Sequence, residues 1–339
     1  MHTEALTPPP VVRSTQTDPH ERGRALGTAA REGVLRCWAG YERLFEVWGA
    51  DVREIAEVTL ERTRAWAPNL AAEIAGIGAG AGLETWQIAA LNARTEILAR
   101  GRGECSTVVL LGSPPRTLQT WDWHEHLHDV KFVWDTDGVR TFTEYGIVGK
   151  IGVNSAGLGV HMNILHHASD GGGDGVPVHI VARRILDEAT TVEEAAEIAR
   201  SAHVCASTVL TAVDRMSAAC LELCPDGLAE IHPKDGVLLH TNHFLDAELA
   251  NGEDNRAEDP GSWDRLEALR QRVDELRTAP DLSHAMNLHD APVCCHPEPG
   301  APFGERYATL ATISLDVAGG RLRLRSGGPC AAGAEWITV

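Results

Sequence analysis

The sequence predicts an α+β fold in which antiparallel β-sheets carry helices on their outer faces. Two observations lead to this class. In residues 19–100, apolar side chains recur at three- and four-residue spacing, a pattern typical of helices. From residue 105 onward, short runs rich in β-branched and aromatic residues follow one another closely and are bounded by Gly, Pro and Asp. Short connections join antiparallel strands, so an alternating parallel α/β fold is not expected.

The predicted helices have recognisable starts. Asp18 is a candidate N-cap, and Pro19 suits the first helical position. Glu84 or Thr85 begins the last helix before residue 100, and a new cap near Thr190–Thr191 divides a later helical block. The helical segments cover 18–38, 50–66, 69–83, 85–100, 177–202 and 262–276.

The predicted strands are linked mostly by hairpins. A turn at Asn154–Gly157 joins two strands, and Gly319–Gly320 forms another turn. We expect Asn154 and Gly157 to serve their turn because Asn and Gly tolerate positive φ. Residues 1–18 are rich in Pro and Thr and are predicted to be disordered. The strands lie within 106–112, 116–124, 131–136, 139–146, 150–165, 207–214, 217–233, 236–244 and 308–330.

Composition and charge restrict the class of partner. Of the 339 residues, 43% are hydrophobic, which is enough for a sizeable core. The net charge of −18 argues against nucleic acid or an anionic membrane surface as a partner, because both bind clusters of Lys and Arg. The eight cysteines form no CxxC pair, and we find neither a signal peptide nor an apolar run of transmembrane length. We therefore expect a cytoplasmic protein with reduced thiols.

The cysteine at the start of the first β-rich run is the main candidate for chemistry. Cys105 follows the polar stretch 101–104 and precedes an apolar strand. A cysteine reacts as the thiolate, and a free thiol is mostly neutral at physiological pH unless a base is near. If the peptide bond before Cys105 is cut, the residue gains its own α-amino group. The ordinary pKa of that group, about 8, suits a general base.

Six motifs, in order along the chain, carry a resemblance to a known family. They are DPHERGRALG, GECSTVVL, QTWDWH, GKIGVNSAGLGVHMNIL, LHTNHFL and the C-terminal ATLATISLD with GGPC. Together they resemble the acyl-coenzyme A:6-aminopenicillanic acid acyltransferase family, or C45 peptidases, within the N-terminal nucleophile (Ntn) hydrolases. The resemblance implies a four-layer αββα sandwich. It also implies an inactive precursor that cuts itself between Glu104 and Cys105, after which a mainly helical fragment, 1–104, stays associated with a catalytic fragment, 105–339.

The resemblance assigns roles to particular residues. Cys105 is the nucleophile in both the self-cleavage and the reaction with substrate. Asp122 would hold the new α-amino group, and the side-chain amide of Asn242 would donate to the oxyanion of the tetrahedral intermediate. On residue type alone, Asp122 is a surface strand residue and Asn242 is an Asn in a turn at the end of a strand. Substrate contacts are expected from Trp121, Trp123, His243 and Arg306.

Two further residues fit the resemblance without a defined role. Ser262 and Arg265 open a predicted helix and match a Ser-x-x-Arg element of the family. Helix capping and packing explain this pair about as well as function does.

The resemblance implies an Ntn amidohydrolase or acyltransferase that acts on a small N-acylated amine. The acyl group would pass to the Cys105 sulfur as a thioester and then to water or to an amine. Acyl-coenzyme A is a second candidate donor. This chemistry requires no cofactor and no metal.

Three other functions fit parts of the sequence. A zinc hydrolase could use His124, His126 and His128, which lie on one face of a predicted strand at period two. A non-catalytic binding protein on the same fold would leave the chain uncut. A conventional cysteine hydrolase could use the run Cys294–His296, although adjacent strand residues point to opposite faces, which disfavours a Cys–His pair there.

Overall fold

Two β-sheets and a set of α-helices make up the described part of the chain. The computed structural model describes residues 7–49, 51–98, 105–136, 138–171, 173–253, 261–289, 291, 293–331 and 333–339. The strands, in chain order, are β1 (Val11–Arg13), β2 (Ser106–Leu110), β3 (Arg116–His124), β4 (Lys131–Asp135), β5 (Val139–Glu144), β6 (Ile151–Asn154), β7 (Gly159–Ile164), β8 (Thr208–Val213), β9 (Ala218–Cys224), β10 (Gly227–Ile231), β11 (Val237–His240), β12 (Tyr307–Asp316), β13 (Arg321–Ser326) and β14 (Ile337–Thr338).

The helices fall into an N-terminal group and two later groups. They are α1 (Pro19–Ala29), α2 (Arg31–Trp48), α3 (Val52–Trp66), α4 (Pro68–Ala81), α5 (Thr85–Asn92), α6 (Arg94–Ile97), α7 (Val178–Glu188), α8 (Val192–Ser201), α9 (Gly261–Gln271), α10 (Val273–Thr278) and α11 (Leu282–Ala285). None of these helices is both long and apolar enough to cross a lipid bilayer. The cytoplasmic location stays a prediction.

The strands pair mostly with antiparallel neighbours. Sheet A has the order β1-β4-β5-β6-β7-β8-β9-β10, and sheet B has the order β11-β2-β3-β12-β13-β14. β1 pairs with β4 in parallel, and the other described pairs are antiparallel. Hairpins such as β6–β7 and β12–β13 link consecutive strands, as the short connections in the sequence predict.

The two sheets stack face to face, and helices cover each outer face. Across the space between the sheets, β2 contacts β7, and β13 contacts β5 and β6. Helices α7 and α8 pack on sheet A, whereas α9 and α11 pack on sheet B. An apolar cluster that includes Val108, Leu118, Leu269 and Met286 fills the space between sheet B and its helices. The predicted α+β class and four-layer αββα sandwich are confirmed.

The N-terminal segment differs from its prediction. The expectation of disorder over residues 1–18 is wrong for residues 7–18, and residues 1–6 lie outside the described part. Strand β1 lies in this segment and extends sheet A beside β4. Val11 and Val12 pack partly buried against the core, and Trp134 Nε1 donates to Ser14 Oγ at 2.9 Å. A strand of three residues is too short for a periodic pattern to reveal.

Glycines at the contact between helices α1 and α4 allow the two backbones to pack directly against each other. Gly23 and Gly27 of α1 lie against α4, and Gly76 and Gly80 of α4 lie against α1. A Cβ atom added to any of the four would stand 2.0–2.3 Å from a backbone oxygen of the other helix. Glycine in a helix costs about 1 kcal/mol relative to alanine. Here the close approach of the two backbones offsets that cost.

Several predicted helix starts and turns are confirmed. The side chains of Asp18 and Thr191 accept backbone N–H groups at the starts of α1 and α8. Gly157 has a φ of +96° in the turn between β6 and β7, a conformation that favours glycine. Asn154 acts differently from its prediction, because its φ is not positive. Its Oδ1 instead accepts a hydrogen bond from Leu158 N at 3.0 Å across the turn.

Candidate active site

Cys105 lies at the buried end of a strand inside sheet B. It immediately precedes β2, which lies between β3 and β11. The residue is 3% exposed, and its backbone nitrogen donates a hydrogen bond to Asn242 Oδ1 at 2.8 Å. Glu104, and with it the predicted scissile bond, lies outside the described residues. The backbone nitrogen of Cys105, which a cut would convert into an amine, thus already donates a hydrogen bond to a side-chain oxygen.

The Asn242 amide joins three parts of the chain. Its Oδ1 accepts from the Cys105 nitrogen and also from Arg265 Nη2, at 2.8 and 2.9 Å. Its Nδ2 donates to the carbonyl oxygen of Ile164, at the end of β7, at 2.9 Å. Two donors on the oxygen and an acceptor on the nitrogen fix the orientation of the amide. The contact with Ile164 uses one of the two N–H bonds, and the predicted donation to an oxyanion stays a prediction.

The start of α9 fixes the loop that carries Asn242. Ser262 Oγ accepts from Asn242 N at 2.8 Å and lies 2.8 Å from His243 Nδ1. The His243 ring stacks on Trp263, with 4.4 Å between the ring centroids. Ser262 and Arg265, for which the sequence suggests no definite role, both contact Asn242. His243 is buried among these groups, and its contact with substrate stays a prediction.

A buried carboxylate fixes the other side of the same loop. Glu222 of β9 accepts from the backbone nitrogens of Leu245 and Asp246 at 2.7 and 3.0 Å. His240 Nε2 lies 2.7 Å from the same side chain, and both side chains are fully buried. A strand of sheet A thereby anchors the loop that follows β11 of sheet B. Sequence reasoning missed Glu222, although a single acidic residue inside the apolar run CLELC was the signal.

Asp122 lies on the strand next to Cys105. It is fully buried, and its cross-strand partner on β12 is Thr309. Trp121 and Trp123 alternate with Asp122 along β3, so their side chains point to the opposite face of sheet B. The negative charge of Asp122 acts on the Cys105 thiol. The predicted role of Asp122, to hold the α-amino group, stays a prediction.

The Cys105 thiol is protonated at neutral pH in the unbroken chain. Burial, and after it the negative charge of Asp122, raises the pKa of the thiol to about 12. The backbone N–H of Asp122 and the positive charges of Arg265 and Lys150 oppose this rise. A nearby base is therefore needed before the sulfur can act as a nucleophile.

A buried charge cluster packs against the other face of β3. Lys150 Nζ lies 4.0 Å from the centre of the Trp121 ring and pairs with the carboxylate of Glu144. Arg94 Nη2 lies 3.4 Å from the same carboxylate, and Tyr41 donates its hydroxyl to it at 2.6 Å. All of these side chains are buried. Two basic side chains therefore share one buried carboxylate in this cluster.

Burial and ion pairing have opposite effects on the pKa values of Lys150 and Glu144 in this cluster. Burial lowers the pKa of Lys150 to about 7, although Glu144 opposes the change. Burial alone would raise the pKa of Glu144, but the charges of Lys150 and Arg94 outweigh it and hold that pKa below its ordinary value. Trp123 Nε1 donates to the Tyr41 hydroxyl at 2.8 Å, so this ring is a structural partner of the cluster. The substrate contacts expected of both tryptophans stay predictions.

Arg306 borders a cavity one strand away from Asp122. The cavity has a volume of about 600 Å³ and is lined by Phe303, Arg306 and Thr309, among others. The Arg306 guanidinium pairs with Glu125 at 2.7 Å. Thr309 pairs with Asp122 in the β3–β12 ladder, which connects the cavity wall to the site. The contact of Arg306 with substrate stays a prediction.

His124, at the end of β3, and His126 and His128, which follow it, do not converge on a metal position. The rings of His124 and His126 lie 5.8 Å apart, and burial lowers the pKa of His124 to about 3. His128 Nδ1 lies 3.1 Å from the backbone oxygen of Glu125. Within the described ranges, the set of three side chains that does converge is a different one: Cys294, His296 and Cys330. The zinc-hydrolase alternative built on His124, His126 and His128 is therefore wrong.

Comparison with known proteins gives matches over most of the chain. A sequence model of the family described as acyl-coenzyme A:6-aminopenicillanic acid acyl-transferase matches residues 114–331. One curated relative is the 40 kDa form of the acyl-coenzyme A:6-aminopenicillanic-acid-acyltransferase of Emericella nidulans. It is 30% identical over 296 residues, which are 82% of this chain and 79% of the relative.

Solved structures with a similar fold are more distant in sequence. Penicillin V acylase from Agrobacterium tumefaciens is 16% identical with a TM-score of 0.49, covering 69% of this chain and 86% of that chain. The N-acylethanolamine-hydrolyzing acid amidase ortholog of Caenorhabditis elegans is 13% identical with a TM-score of 0.47, covering 63% of this chain and 93% of that chain.

The sequence matches cover part of the candidate site. The range matched by the family model begins after Cys105 and includes Asp122, Asn242 and Arg265. The curated relative extends the match to 82% of the chain and carries the same family description. The chain therefore belongs to the acyl-coenzyme A:6-aminopenicillanic acid acyl-transferase family.

Proposed function

We propose that the protein is an autoprocessing Ntn enzyme with Cys105 as its nucleophile. Membership of the family supports an acyltransferase or amidohydrolase. The observation that carries the finer assignment is the 2.8 Å hydrogen bond from the Cys105 nitrogen to Asn242 Oδ1. The residue that would become the new N-terminus is thus buried, with its nitrogen in a site built from Asn242 and Arg265.

The first reaction is the cut between Glu104 and Cys105. The Cys105 sulfur attacks the carbonyl carbon of Glu104, its proton passes to the amide nitrogen as the C–N bond breaks, and the nitrogen leaves as the α-amino group of Cys105. Water then hydrolyses the resulting thioester, which leaves a carboxylate on Glu104 and restores the thiol. The products are the fragments 1–104 and 105–339, which stay associated.

The cut supplies a base for the reaction with substrate. The new amine can take the proton from the Cys105 thiol, whose pKa burial raises to about 12 before the cut. Asn242 Oδ1 accepts a hydrogen bond from the amine as it now accepts one from the amide. The amine is then held next to the sulfur that it activates.

The second reaction uses the same sulfur on a small N-acylated amine. The sulfur attacks the acyl carbon, the amide C–N bond breaks, and the amine leaves with the proton. An acyl-thioester on Cys105 remains. Water or a second amine attacks that thioester, the C–S bond breaks, and the thiol regains its proton. The name of the Emericella nidulans relative makes acyl-coenzyme A a second candidate acyl donor.

Intact mass measurement with N-terminal sequencing tests the proposal. We expect wild-type protein to give two fragments, one of which begins at Cys105, and Cys105→Ala to stay a single chain of 36.5 kDa. Cys220→Ala is the matched control, because it removes an equally buried thiol from sheet A and should leave the cut intact. A wild-type protein that is active as one unbroken chain would overturn the assignment.

A mass screen then tests the second reaction. Incubation with a panel of acyl-amines and acyl-coenzyme A thioesters should add the mass of an acyl group to the fragment that begins at Cys105. An uncut chain that binds these compounds without a covalent adduct would support the non-catalytic alternative instead.

A further inference from the structure

Three metal-ligating side chains meet near the C-terminus, outside the site described above. Cys294 and His296 lie in the segment between α11 and β12, and Cys330 follows β13. The two Sγ atoms lie 2.8 Å apart, and Cys330 Sγ lies 3.4 Å from His296 Nε2. The three ligand atoms all lie within 4.8 Å of one another.

We propose that Cys294, His296 and Cys330 bind a zinc ion or a similarly soft divalent cation. Two thiolates and one imidazole are ligands that zinc prefers, and a water molecule completes the tetrahedron. With ligand bonds of about 2.0–2.3 Å, tetrahedral geometry places the ligand atoms roughly 3.5–3.8 Å apart. The distance from Cys330 Sγ to His296 Nε2, 3.4 Å, is within roughly 0.1 Å of this range. The two sulfurs need to separate by roughly 0.9 Å, and the two thiols release one proton each as the ion binds.

The surroundings favour a bound ion over accidental proximity. Gly328 leaves room for one sulfur, since a Cβ there would stand 2.4 Å from Cys294 Sγ. The His296 ring stacks on His289, with 5.6 Å between the centroids, which restricts its orientation. Cys294 is buried whereas His296 is exposed, so the ion can enter from solvent.

A cationic side chain holds the loop that carries Cys330. Arg325 Nη2 donates to the carbonyl oxygen of Pro329 at 2.8 Å, directly before Cys330. The loop is thus held in place by contacts that do not involve the ion.

The ion would tie two C-terminal segments together beside the wall of the active-site region. Cys295, between two of the ligands, donates its N–H to Thr309 Oγ1 at 2.8 Å and accepts from Thr309 N at 3.1 Å. Thr309 is the cross-strand partner of Asp122. His296 and Gly328 also line the cavity that contains Arg306. The proposed ion therefore fixes part of that cavity wall and takes no part in the chemistry at Cys105.

Metal titration of untagged, reduced protein tests this site. We expect one Zn²⁺ per chain by elemental analysis, and Co²⁺ should give thiolate charge-transfer bands typical of a tetrahedral site. Cys294→Ser and the more exposed Cys330→Ser should each lower Zn²⁺ affinity by roughly 100-fold or more, because the loss of a ligand exceeds the 10–100-fold effect of an outer-shell change. Cys295→Ser is the matched control and should retain the ion.

Three results would overturn the proposal. Reduced wild-type protein could fail to bind Zn²⁺ or Co²⁺ stoichiometrically, which would exclude a built site. Binding could survive both serine substitutions, which would place the ion elsewhere. Peptide mapping could find a Cys294–Cys330 disulfide in protein that takes up no metal even after reduction, which would make the pair a cystine. The titration is repeated with Cys105→Ala, which cannot cut itself, so that a failure to bind metal can be distinguished from a failure of the proposed self-cleavage.

Discussion

Glu144→Gln tests whether the buried charge cluster holds the two halves of the molecule together. Tyr41 and Arg94 precede the proposed cut, whereas Glu144 and Lys150 follow it. Gln keeps the size of the side chain and can still accept from the Tyr41 hydroxyl, which now donates at 2.6 Å. It removes the one negative charge that both buried cations share.

The expected cost follows from burial and charge. Removing one partner of a buried ion pair costs about 3–5 kcal/mol, because the other charge is left without compensation. Lys150 limits the loss, since burial already lowers its pKa to about 7 and it can release its proton at neutral pH. We therefore expect a loss near the lower end, about 3 kcal/mol, or a fall of roughly 100-fold in the ratio of folded to unfolded protein.

The measurement is urea unfolding in the Cys105→Ala background, where the chain stays in one piece and no fragment can dissociate. Glu125→Gln is the matched control, because Glu125 pairs at 2.7 Å with Arg306 in a partly exposed position. That change should cost less than about 1 kcal/mol. Equal, small effects of the two substitutions would refute the reasoning, since they would mean that the Glu144 carboxylate is not needed to compensate its cations.

Two further predictions concern a buried acid and a positioning residue. Burial raises the pKa of Glu96 to about 7, so the folded state holds a proton that the unfolded state loses near pH 4.5. Stability of wild type relative to Glu96→Gln should therefore fall as the pH rises from about 4.5 to about 7, by up to roughly 3 kcal/mol, in urea unfolding at several pH values; a difference that does not vary with pH would contradict this. Arg265→Met removes a donor to Asn242 Oδ1 and should slow self-cleavage by roughly tenfold or more. The exposed Arg270→Met on the same helix should not, and equal rates measured by gel densitometry would remove Arg265 from the site.

The regular parts of the fold were accessible from the sequence because their signals are local. Residues within one turn of a helix or one hairpin set the pattern, as Thr191 does at the start of α8 and Gly157 in the β6–β7 turn. β1 was not accessible, because it depends on pairing with β4 some 120 residues later and not on its own pattern. Long-range pairing of this kind leaves no periodic trace in a single segment.

The residues of the candidate site were also predictable from local motifs, whereas the contacts between them were not. Cys105, Asp122 and Asn242 could be nominated from motifs, but the contact between the Cys105 nitrogen and Asn242 Oδ1 joins positions that no spacing rule connects. Ser262 and Arg265 had an ordinary explanation as helix-capping and packing residues until the fold brought them to Asn242. A buried charged residue such as Glu222 could have been predicted from its isolated position in an apolar strand, because a buried charge requires a partner.

Within the first hundred residues, we expect the glycines at the contact between α1 and α4 to be the positions that tolerate substitution least. Gly23, Gly27, Gly76 and Gly80 set the separation of two helix axes by the absence of four methyl groups. Glu73, on α4, lies 3.4 Å from Arg183 on α7, so a wider separation would displace a carboxylate that reaches the layer over sheet A. A single carbon atom added to one of these glycines would thus displace side chains that follow the proposed cleavage position.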